Sequence, residues 1–408
     1  MESKIFTYIN TSTLPKVDDG PMAGICVAVE PSISVENWPT DAQSPALENY
    51  VALEDATLIS RLRNAGADLK GRTAMGELGL GLDRDTGGEA IKTGSSDVVL
   101  KTDTTGEARL SAATSGCFGF KPSYGLISRS GLIGLVPSME SCGILSNSLG
   151  EISKTAQAMA GLDERDPSMD ESGIEQTLSR FSQPKALADS PMTVGVIREW
   201  MSGMGPEHKA FEQTMEKLSA AGIKIETVSI RDFCLARTVH NVIGTVEASS
   251  SAGRFDSVRY GHRTSGSVKN WNEMYIQSRG ESFGPLVKAY LFQGGYFQYQ
   301  NYNAFLDACR IRARLMESVE KAFETVDLIA LPVSGKPLPE KPNTVSGFYD
   351  AFSLTLLANL TGNPSISIPG HVNGDAVGPA LQLIGKRFDD PGLLAFAARV
   401  SDIYTGGR

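Results

Sequence analysis

The sequence predicts an α/β protein in which a mixed β-sheet forms the core and helices cover it. Short apolar runs typical of strands alternate with longer stretches whose apolar residues recur every three to four positions, as in amphipathic helices. This alternation begins near the N-terminus and is the pattern of helices packed on a sheet. No repeat, linker or low-complexity segment interrupts it, so we expect a single domain over residues 1–408.

Each element follows from a local pattern. A short run of β-branched and other apolar residues predicts a strand. A helix is predicted to end where glycine, which readily adopts a positive φ, follows the last periodic residue. In chain order, the predicted elements are a strand at 25–29, a helix from Asp55 to Gly66, a strand at 193–197, a helix from Glu207 to Ala221, a strand at 223–228, a helix from Ala304 to Phe323 and a strand at 327–331.

Composition narrows the class of partner and the compartment. The net charge of −9 disfavours nucleic acid or an anionic membrane as the main partner. The five cysteines are dispersed without a CxxC pair, so neither a zinc site nor a disulfide framework is predicted. No stretch approaches the roughly 18 apolar residues of a membrane span. We expect a cytoplasmic protein that does not contact membranes, and no direct contact with nucleic acid.

Two neighbouring motifs carry the strongest functional signal. Residues 102–109 read Thr-Asp-Thr-Thr-Gly-Glu-Ala-Arg, and residues 119–125 read Gly-Phe-Lys-Pro-Ser-Tyr-Gly. They resemble the amidase signature pattern Ser-Asp-Thr-Gly-Gly-Ser-x-Arg followed by Gly-Leu-Lys-Pro-Thr-Tyr-Gly. Further matches follow in family order, and those at 247–261, 283–288 and 310–312 resemble the A subunit of the Glu-tRNA(Gln) amidotransferase in particular. The resemblance implies the amidase-signature fold.

The catalytic positions of that family hold acidic residues in this chain. Active members use a serine nucleophile, a second serine and a lysine that relays the proton, because a hydroxyl is a weak nucleophile until a base takes its proton. The nucleophile position falls on Glu107 and the lysine position on Glu30. The second serine falls on Asp85 or Glu89, depending on the register of Gly87–Gly88. Since a carboxylate cannot replace these groups, the resemblance implies that ordinary amide hydrolysis is lost.

The turn that stabilises the oxyanion in active members is expected to survive. Its donors would be the backbone N–H groups of Thr104, Thr105, Gly106 and Glu107, which makes the first three candidate ligand-binding residues. Thr105 replaces a family glycine, and this substitution can distort the turn where a positive φ is required. Asp103 and Arg109 match the family and are expected to hold the turn together.

Arg312 matches the family arginine that grips the carboxylate of the glutamine substrate. A guanidinium suits that task because its paired donors fit a carboxylate. A pocket for a small amino-acid ligand can therefore be retained although amide hydrolysis is lost. Alternatively, Arg310, Arg312 and Arg314 form a solvated basic face of one helix. The family aspartate for the substrate amino group is displaced, since Phe352 occupies its ungapped position and Asp350 fits only with a two-residue shift.

If the family geometry holds, Glu30, Glu107 and either Asp85 or Glu89 converge, and like charges so close raise one another's pKa. Three compensations remain open: a divalent cation bound by Glu30 and Glu107, protons shared between acids that then act in acid-base chemistry, or ion pairs with arginines. The candidate arginines are Arg72, Arg84 and Arg109.

Three functions follow from these alternatives. The first is a degenerate relative of the amidotransferase A subunit, which binds a partner subunit because the family's A subunit works in a larger assembly. The second is an enzyme with carboxylate-based chemistry, and the third is a small-ligand binder. A Ser-His-Asp triad is not predicted. The histidines, which lie outside the motifs and are expected to be surface or packing residues, are His208, His240, His262 and His371.

Overall fold

A mixed β-sheet forms the centre of the protein. The computed structural model describes residues 2–11, 19–181, 192–201, 206–334, 344–370, 372–373, 376–377 and 379–405. Within them the strands are β1 (Phe6–Ile9), β2 (Cys26–Val29), β3 (Asp68–Thr73), β4 (Val98–Asp103), β5 (Phe118–Lys121), β6 (Ser141–Ser146), β7 (Thr193–Ile197), β8 (Lys224–Val228), β9 (Leu328–Pro332), β10 (Ser365–Ile368), β11 (Val372–Asn373), β12 (Ala376–Val377) and β13 (Leu381–Ile384).

Helices surround this sheet. In chain order they are α1 (Glu2–Ile5), α2 (Thr57–Asn64), α3 (Gly87–Lys92), α4 (Glu107–Ser115), α5 (Leu149–Met159), α6 (Glu171–Phe181), α7 (Arg198–Met201), α8 (Pro206–Ala220), α9 (Ala236–Ser251), α10 (Trp271–Ser282), α11 (Pro285–Tyr299), α12 (Tyr302–Ala322), α13 (Val345–Phe352), α14 (Leu356–Thr361) and α15 (Asp390–Thr405). Each of the seven strands and helices predicted from local pattern is present within a few residues of its expected bounds.

The sheet contains both strand orientations. Its 11 strands lie in the order β1-β3-β2-β4-β6-β5-β10-β13-β9-β7-β8. Pairing is parallel from β3 through β2 to β4 and again from β9 through β7 to β8. The strands between them pair antiparallel. The predicted α/β class with a mixed sheet is therefore confirmed.

Strand β4 is buried along its whole length, and it positions the candidate site. Its sequence Val-Val-Leu-Lys-Thr-Asp places two charged residues, Lys101 and Asp103, in a strand whose six residues are all buried. A buried charge is costly unless a partner compensates it. The partners of these two side chains therefore organise the region around the end of β4.

Helices α9, α11 and α12 pack together beside the sheet. The contact between α9 and α11 is close because α11 presents Gly294 to it: a Cβ at this position would lie 1.8 Å from the carbonyl oxygen of Thr245. Buried side chains of α11, including Val287 and Tyr290, complete its inner face. No helix in the described part of the chain is both long and apolar enough to cross a bilayer.

Candidate functional site around the Glu107 turn

A tight turn joins the end of β4 to the start of α4. Thr104, Thr105 and Gly106 form the turn, and α4 begins at Glu107. Gly106 has a φ of 126°, and a Cβ there would lie 2.3 Å from Thr355 Oγ1. Only glycine fits such a position, because it has no Cβ and tolerates a positive φ. The turn therefore directs its backbone N–H groups toward one point at the N-terminus of α4.

The carboxylate of Glu107 occupies that point. Its Oε2 accepts hydrogen bonds from the backbone N–H groups of Thr104 at 2.8 Å, Thr105 at 2.8 Å and Gly106 at 3.1 Å. We call these three donors the N–H nest. The Thr105 hydroxyl donates to Oε1 at 2.6 Å. Backbone nests and helix N-termini favour an anion, and here the anion is supplied by the chain itself.

Burial sets the electrostatics of this carboxylate. Glu107 is 2% exposed. Burial first, and then the neighbouring Asp103 carboxylate, raises the pKa of Glu107 above its ordinary value. The donors from Thr105 and Thr104 act in the opposite direction because they stabilise the ionised form. Thr105 supplies a hydroxyl at this point, but the residue is 0% exposed, so a substrate cannot reach it in this conformation.

An ion pair beneath the turn holds it in place. Arg109 Nη2 lies 2.9 Å from Asp103 Oδ1, and both side chains are completely buried. Asp103 Oδ2 also accepts a hydrogen bond from the N–H of Ala108 at 3.2 Å. Although burial acts against it, the Arg109 guanidinium lowers the pKa of Asp103 below its ordinary value. Arg109 further donates to Gln382 and Asn359, so the pair connects the turn to β13 and α14.

A buried histidine supports the turn from α9. His240 Nε2 lies 3.0 Å from the carbonyl oxygen of Thr104, so this nitrogen carries the proton and donates it. Burial lowers the pKa of His240 to about 4, and the neutral ring therefore accepts at Nδ1 from the Tyr349 hydroxyl at 2.9 Å. The Tyr349 oxygen in turn accepts from the Tyr290 hydroxyl at 2.9 Å. The structure thus places His240 directly behind the candidate site, bonded to its turn.

A second cluster lies along β4. The Lys101 ammonium lies 2.9 Å from Asp85 Oδ2 and 3.3 Å from Glu30 Oε1. Glu30 Oε2 also accepts the backbone N–H of Thr102 at 3.0 Å. Asp85 Oδ1 accepts the N–H of Gly87 at 2.9 Å. We call Glu30, Lys101 and Asp85 the Glu30 cluster.

Charge attraction outweighs burial at Lys101 but not at Glu30. Burial raises the pKa of Glu30 to about 7, although Lys101 acts in the opposite direction. Although burial opposes it, Asp85 and then Glu30 raise the pKa of Lys101 above its ordinary value. Lys101 therefore remains an ammonium. Sequence reasoning missed this residue, and its available signal was a lysine that directly follows the apolar run Val98–Leu100.

The structure brings together two of the acids that were expected to converge, and it gives the third a different set of partners. It places Glu30 and Asp85 at one ammonium, and it places Glu107 in the N–H nest. Glu89 is exposed on α3. Of the arginines expected to compensate, Arg109 pairs with Asp103. The other two do not pair with these acids: Arg72 is buried and donates to the carbonyl groups of Glu30, Ile33 and Pro39, and Arg84 is exposed.

The contacts of Glu30 and Glu107 do not favour a divalent cation between them. Across the described ranges, no group of three or more His, Cys, Asp or Glu residues lies close enough to hold a metal ion. The proposed ligands Glu30 and Glu107 are each engaged, one with Lys101 and one with the N–H nest. A cation site at this pair therefore remains a hypothesis that these contacts do not favour.

Arg312 is engaged within the protein. Its Nε donates to the carbonyl oxygen of Leu360, and its Nη1 and Nη2 donate to the hydroxyl and carbonyl of Ser138, each at 2.8 Å. The Ser138 hydroxyl in turn donates to Glu247 at 2.6 Å. Arg310 and Arg314, on the same helix, pair with Asp307 and Asp232. The guanidinium of Arg312 thus joins α12 to α14 directly and to α9 through Ser138, and a ligand-binding role for it stays a prediction.

The remaining predicted positions lie at the edge of this region. Phe352 is buried, and Asp350 forms an ion pair with Arg237 at 2.7 Å. Next to this pair is a cavity of ≈ 240 Å³ whose lining includes Arg237, Asn241 and Tyr349. His208 stacks on Trp200, and His262 lies 2.6 Å from Glu281. His371 lies outside the described residues.

Known proteins are similar to this chain over nearly its whole length. The family model described as Amidase matches residues 7–89 and 86–394. The chain is 33% identical to the A subunit of the glutamyl-tRNA(Gln) amidotransferase of Natronomonas pharaonis over 95% of this chain and 97% of the relative. It is 32% identical to the protein of the same name from Methanosarcina acetivorans, over 97% of this chain and 90% of the relative. The solved structure of the Thermotoga maritima protein of that name has a TM-score of 0.76 at 22% identity, covering 98% of this chain and 87% of that chain.

Proposed function

Because the chain belongs to the amidase family, as the resemblance in its sequence predicted, we propose that it retains the family scaffold without amide hydrolysis and serves as one component of a protein complex. The observation that supports the loss of amide hydrolysis, the first half of this proposal, is the position of Glu107. Its carboxylate accepts from the N–H nest at 2.8 to 3.1 Å. Those donors are the groups that an oxyanion intermediate would need.

An occupied nest disfavours amide hydrolysis for two physical reasons. An oxyanion and the Glu107 carboxylate would compete for the same donors, and two negative charges at that separation repel strongly in a buried site. The residue at this position also lacks the hydroxyl from which the family forms its acyl intermediate. To free the N–H donors or to bring a hydroxyl to this position, the turn would have to rearrange. Arg109 and His240 hold that turn from two sides.

The lysine of the Glu30 cluster does not restore the missing base. Lys101 lies beside the position that resembles the family lysine, and its ammonium is 3.3 Å from Glu30 and 2.9 Å from Asp85. These carboxylates raise the pKa of Lys101. An amine must be neutral to accept a proton, and two adjacent carboxylates stabilise the charged form. The cluster therefore supports a structural role for Lys101.

The second half of the proposal rests on the relatives. The proteins from Natronomonas pharaonis and Methanosarcina acetivorans are each named as the A subunit of an amidotransferase, and this chain spans 97% and 90% of their lengths. A chain that keeps nearly the whole length of such a protein keeps the surfaces available to a partner. Loss of amide hydrolysis does not by itself change the surfaces that bind a partner subunit. The chain can therefore keep a role in the assembly without the catalytic one.

An activity assay tests the first half. Purified wild-type protein and Glu107→Ala, prepared in parallel, are incubated with glutamine and with simple amides, and released ammonia is measured. We expect no release above that of the buffer from either protein. A contaminating amidase would give equal rates in both preparations. Hydrolysis by the wild type that disappears in Glu107→Ala would overturn the proposal, because the activity would then belong to this chain.

Isolation from the source cells tests the second half. The tagged chain is purified at low ionic strength and passed over a size-exclusion column, and each fraction is analysed by mass spectrometry. We expect a second polypeptide that co-elutes in a fixed ratio and remains after a second column. Fractions that contain this chain alone would contradict the assembly role without affecting the conclusion about hydrolysis.

A further inference from the structure

Helix α11 has a second apolar face that points away from the protein. Its inner face packs on α9 through Val287, Tyr290 and Gly294. On the other side, Phe292 is 77% exposed, Tyr296 is 53% exposed and Tyr299 is 78% exposed. A surface helix normally turns polar residues outward. Aromatic residues on both faces therefore indicate that α11 has a partner on each side.

The exposed residues follow the spacing of a helix-packing surface. Ala289, Phe292, Tyr296 and Tyr299 are separated by three, four and three positions, which places them on one stripe of the helix. This alternation is the one by which side chains of one helix interlock with those of another. Tyr302 and Leu306, 51% and 37% exposed, follow on the first turns of α12, three and seven positions after Tyr299. We call these six residues the aromatic seam.

The area of the aromatic seam is large for a free surface. Its four aromatic side chains are between 51% and 78% exposed. Since an aromatic side chain can bury 150–250 Å², they leave on the order of 500 Å² of mainly apolar surface in water. Monomeric proteins rarely expose a contiguous apolar patch larger than a few hundred Å². A stable interface buries about 800 Å² on each partner, so the seam is sufficient to form its centre.

The charge pattern favours a second copy of this chain as the partner. None of the six seam residues is charged, so two copies can meet there although each carries a net charge of −9. The charges beside the seam are Lys288 on α11, next to Ala289, and Asp307 and Arg310 on α12, which neutralise one another at 2.7 Å. A surface without a dominant sign is self-complementary, as the two-fold contact of a homodimer requires.

We propose that the aromatic seam is the two-fold interface of a homodimer, in which α11 packs antiparallel against α11 of a second copy. The middle of the stripe then lies near the symmetry axis, so Tyr296 faces Tyr296 of the other copy. Phe292 of each copy packs near Tyr299 of the other. This inference does not depend on whether the chain hydrolyses amides or binds a further protein.

Sedimentation velocity of the purified full-length chain tests the proposal. We expect the wild type to have twice the mass of the chain, and the double variant Phe292→Asp/Tyr299→Asp to have the mass of one chain, because it places like charges opposite one another. Leu53→Asp is the matched control: Leu53 is 86% exposed outside the seam, and this variant should remain a dimer. Circular dichroism and a cooperative melt establish that each variant is folded.

A cross-linking experiment locates the axis. Tyr296→Cys, oxidised with glutathione disulfide, should form a disulfide between two chains, while Leu53→Cys treated in the same way should give only the background of the native cysteines. A monomeric wild type at every concentration would overturn the proposal, and the seam would then belong to a different protein. A dimer that survives in the double variant, or equal cross-linking at positions 296 and 53, would overturn it as well.

Discussion

Two buried carboxylates near β4 are stabilised in different ways. Glu107 accepts hydrogen bonds from neutral donors within three residues of it along the chain. Glu30 lies beside a full positive charge that comes from a different strand. The first arrangement forms with the turn itself, whereas the second requires the sheet to be assembled. We therefore expect the two sites to respond differently to mutation and to pH.

The largest expected effect comes from removing the cation of the Glu30 cluster. Lys101→Met leaves Glu30 and Asp85 buried without a compensating charge, so we expect the free energy of unfolding to fall by about 3–5 kcal/mol. Urea unfolding followed by circular dichroism measures it. The control is Lys224→Met, which removes an exposed lysine 2.7 Å from Glu226 and should cost less than about 1 kcal/mol. Equal losses would mean that burial does not distinguish the two ion pairs.

An intermediate effect is expected from pH. Burial raises the pKa of Glu30 from its ordinary value of 4.5 to about 7, so the folded state binds a proton between these values that the unfolded state has released. Stability should therefore fall as pH rises from about 4.5 to about 7, by on the order of 3 kcal/mol. The measurement is the free energy of unfolding of the wild type minus that of Glu30→Gln.

The subtraction isolates this one group. Other buried acids with a raised pKa, such as Asp390, are present in both proteins and cancel. The Glu30→Gln variant has no proton to gain at this position. The difference in the free energy of unfolding between the two proteins should therefore change with pH as expected for Glu30 alone. A difference that is flat across this pH range would contradict the assignment to Glu30.

The smallest effect is expected at the turn. Glu107→Ala leaves the N–H nest without its acceptor, and we expect a loss of about 1–3 kcal/mol in the free energy of unfolding. Glu107→Gln should lose less, because its amide oxygen can still accept from the nest. Thermal melts in formate add a second readout, since a small carboxylate should stabilise the Ala variant and leave the wild type unchanged. Equal stability of the Ala and Gln variants would contradict the role of the nest.

The sequence predicted the scaffold better than the contacts of the site. Strand and helix patterns located elements such as β7 and α12 because apolar periodicity is local. The family resemblance also placed Glu107 at the turn, since that motif is continuous along the chain. It did not predict that the Glu107 side chain would fold back onto the N–H groups of the same turn. The shape of that turn involves Thr355, which packs against Gly106 and is 249 residues away along the chain, so the two meet only in the folded protein.

The contacts of the Glu30 cluster were also not predictable from the sequence, because its residues are far apart along the chain. Lys101 lies 16 residues after Asp85 and 71 after Glu30 in the sequence, and nothing local connects the three. Its signal was a charged residue in a fully buried strand, which requires a partner but does not identify it. The structure places the two candidates for the second serine position differently, Asp85 beside Lys101 and Glu89 exposed on α3, and the choice between the two registers stays a prediction.

The tether between Glu107 and the donors it occupies has a further consequence. A product-like inhibitor that binds from solution can be displaced when a competing ligand is concentrated enough. Glu107 is part of the first turn of α4, so the effective concentration of its carboxylate at the N–H nest is fixed by covalent geometry and does not fall on dilution. An anion from solution that competes for the nest would therefore gain little from a higher concentration, whereas a change in the chain, such as Glu107→Ala, would open the nest to it.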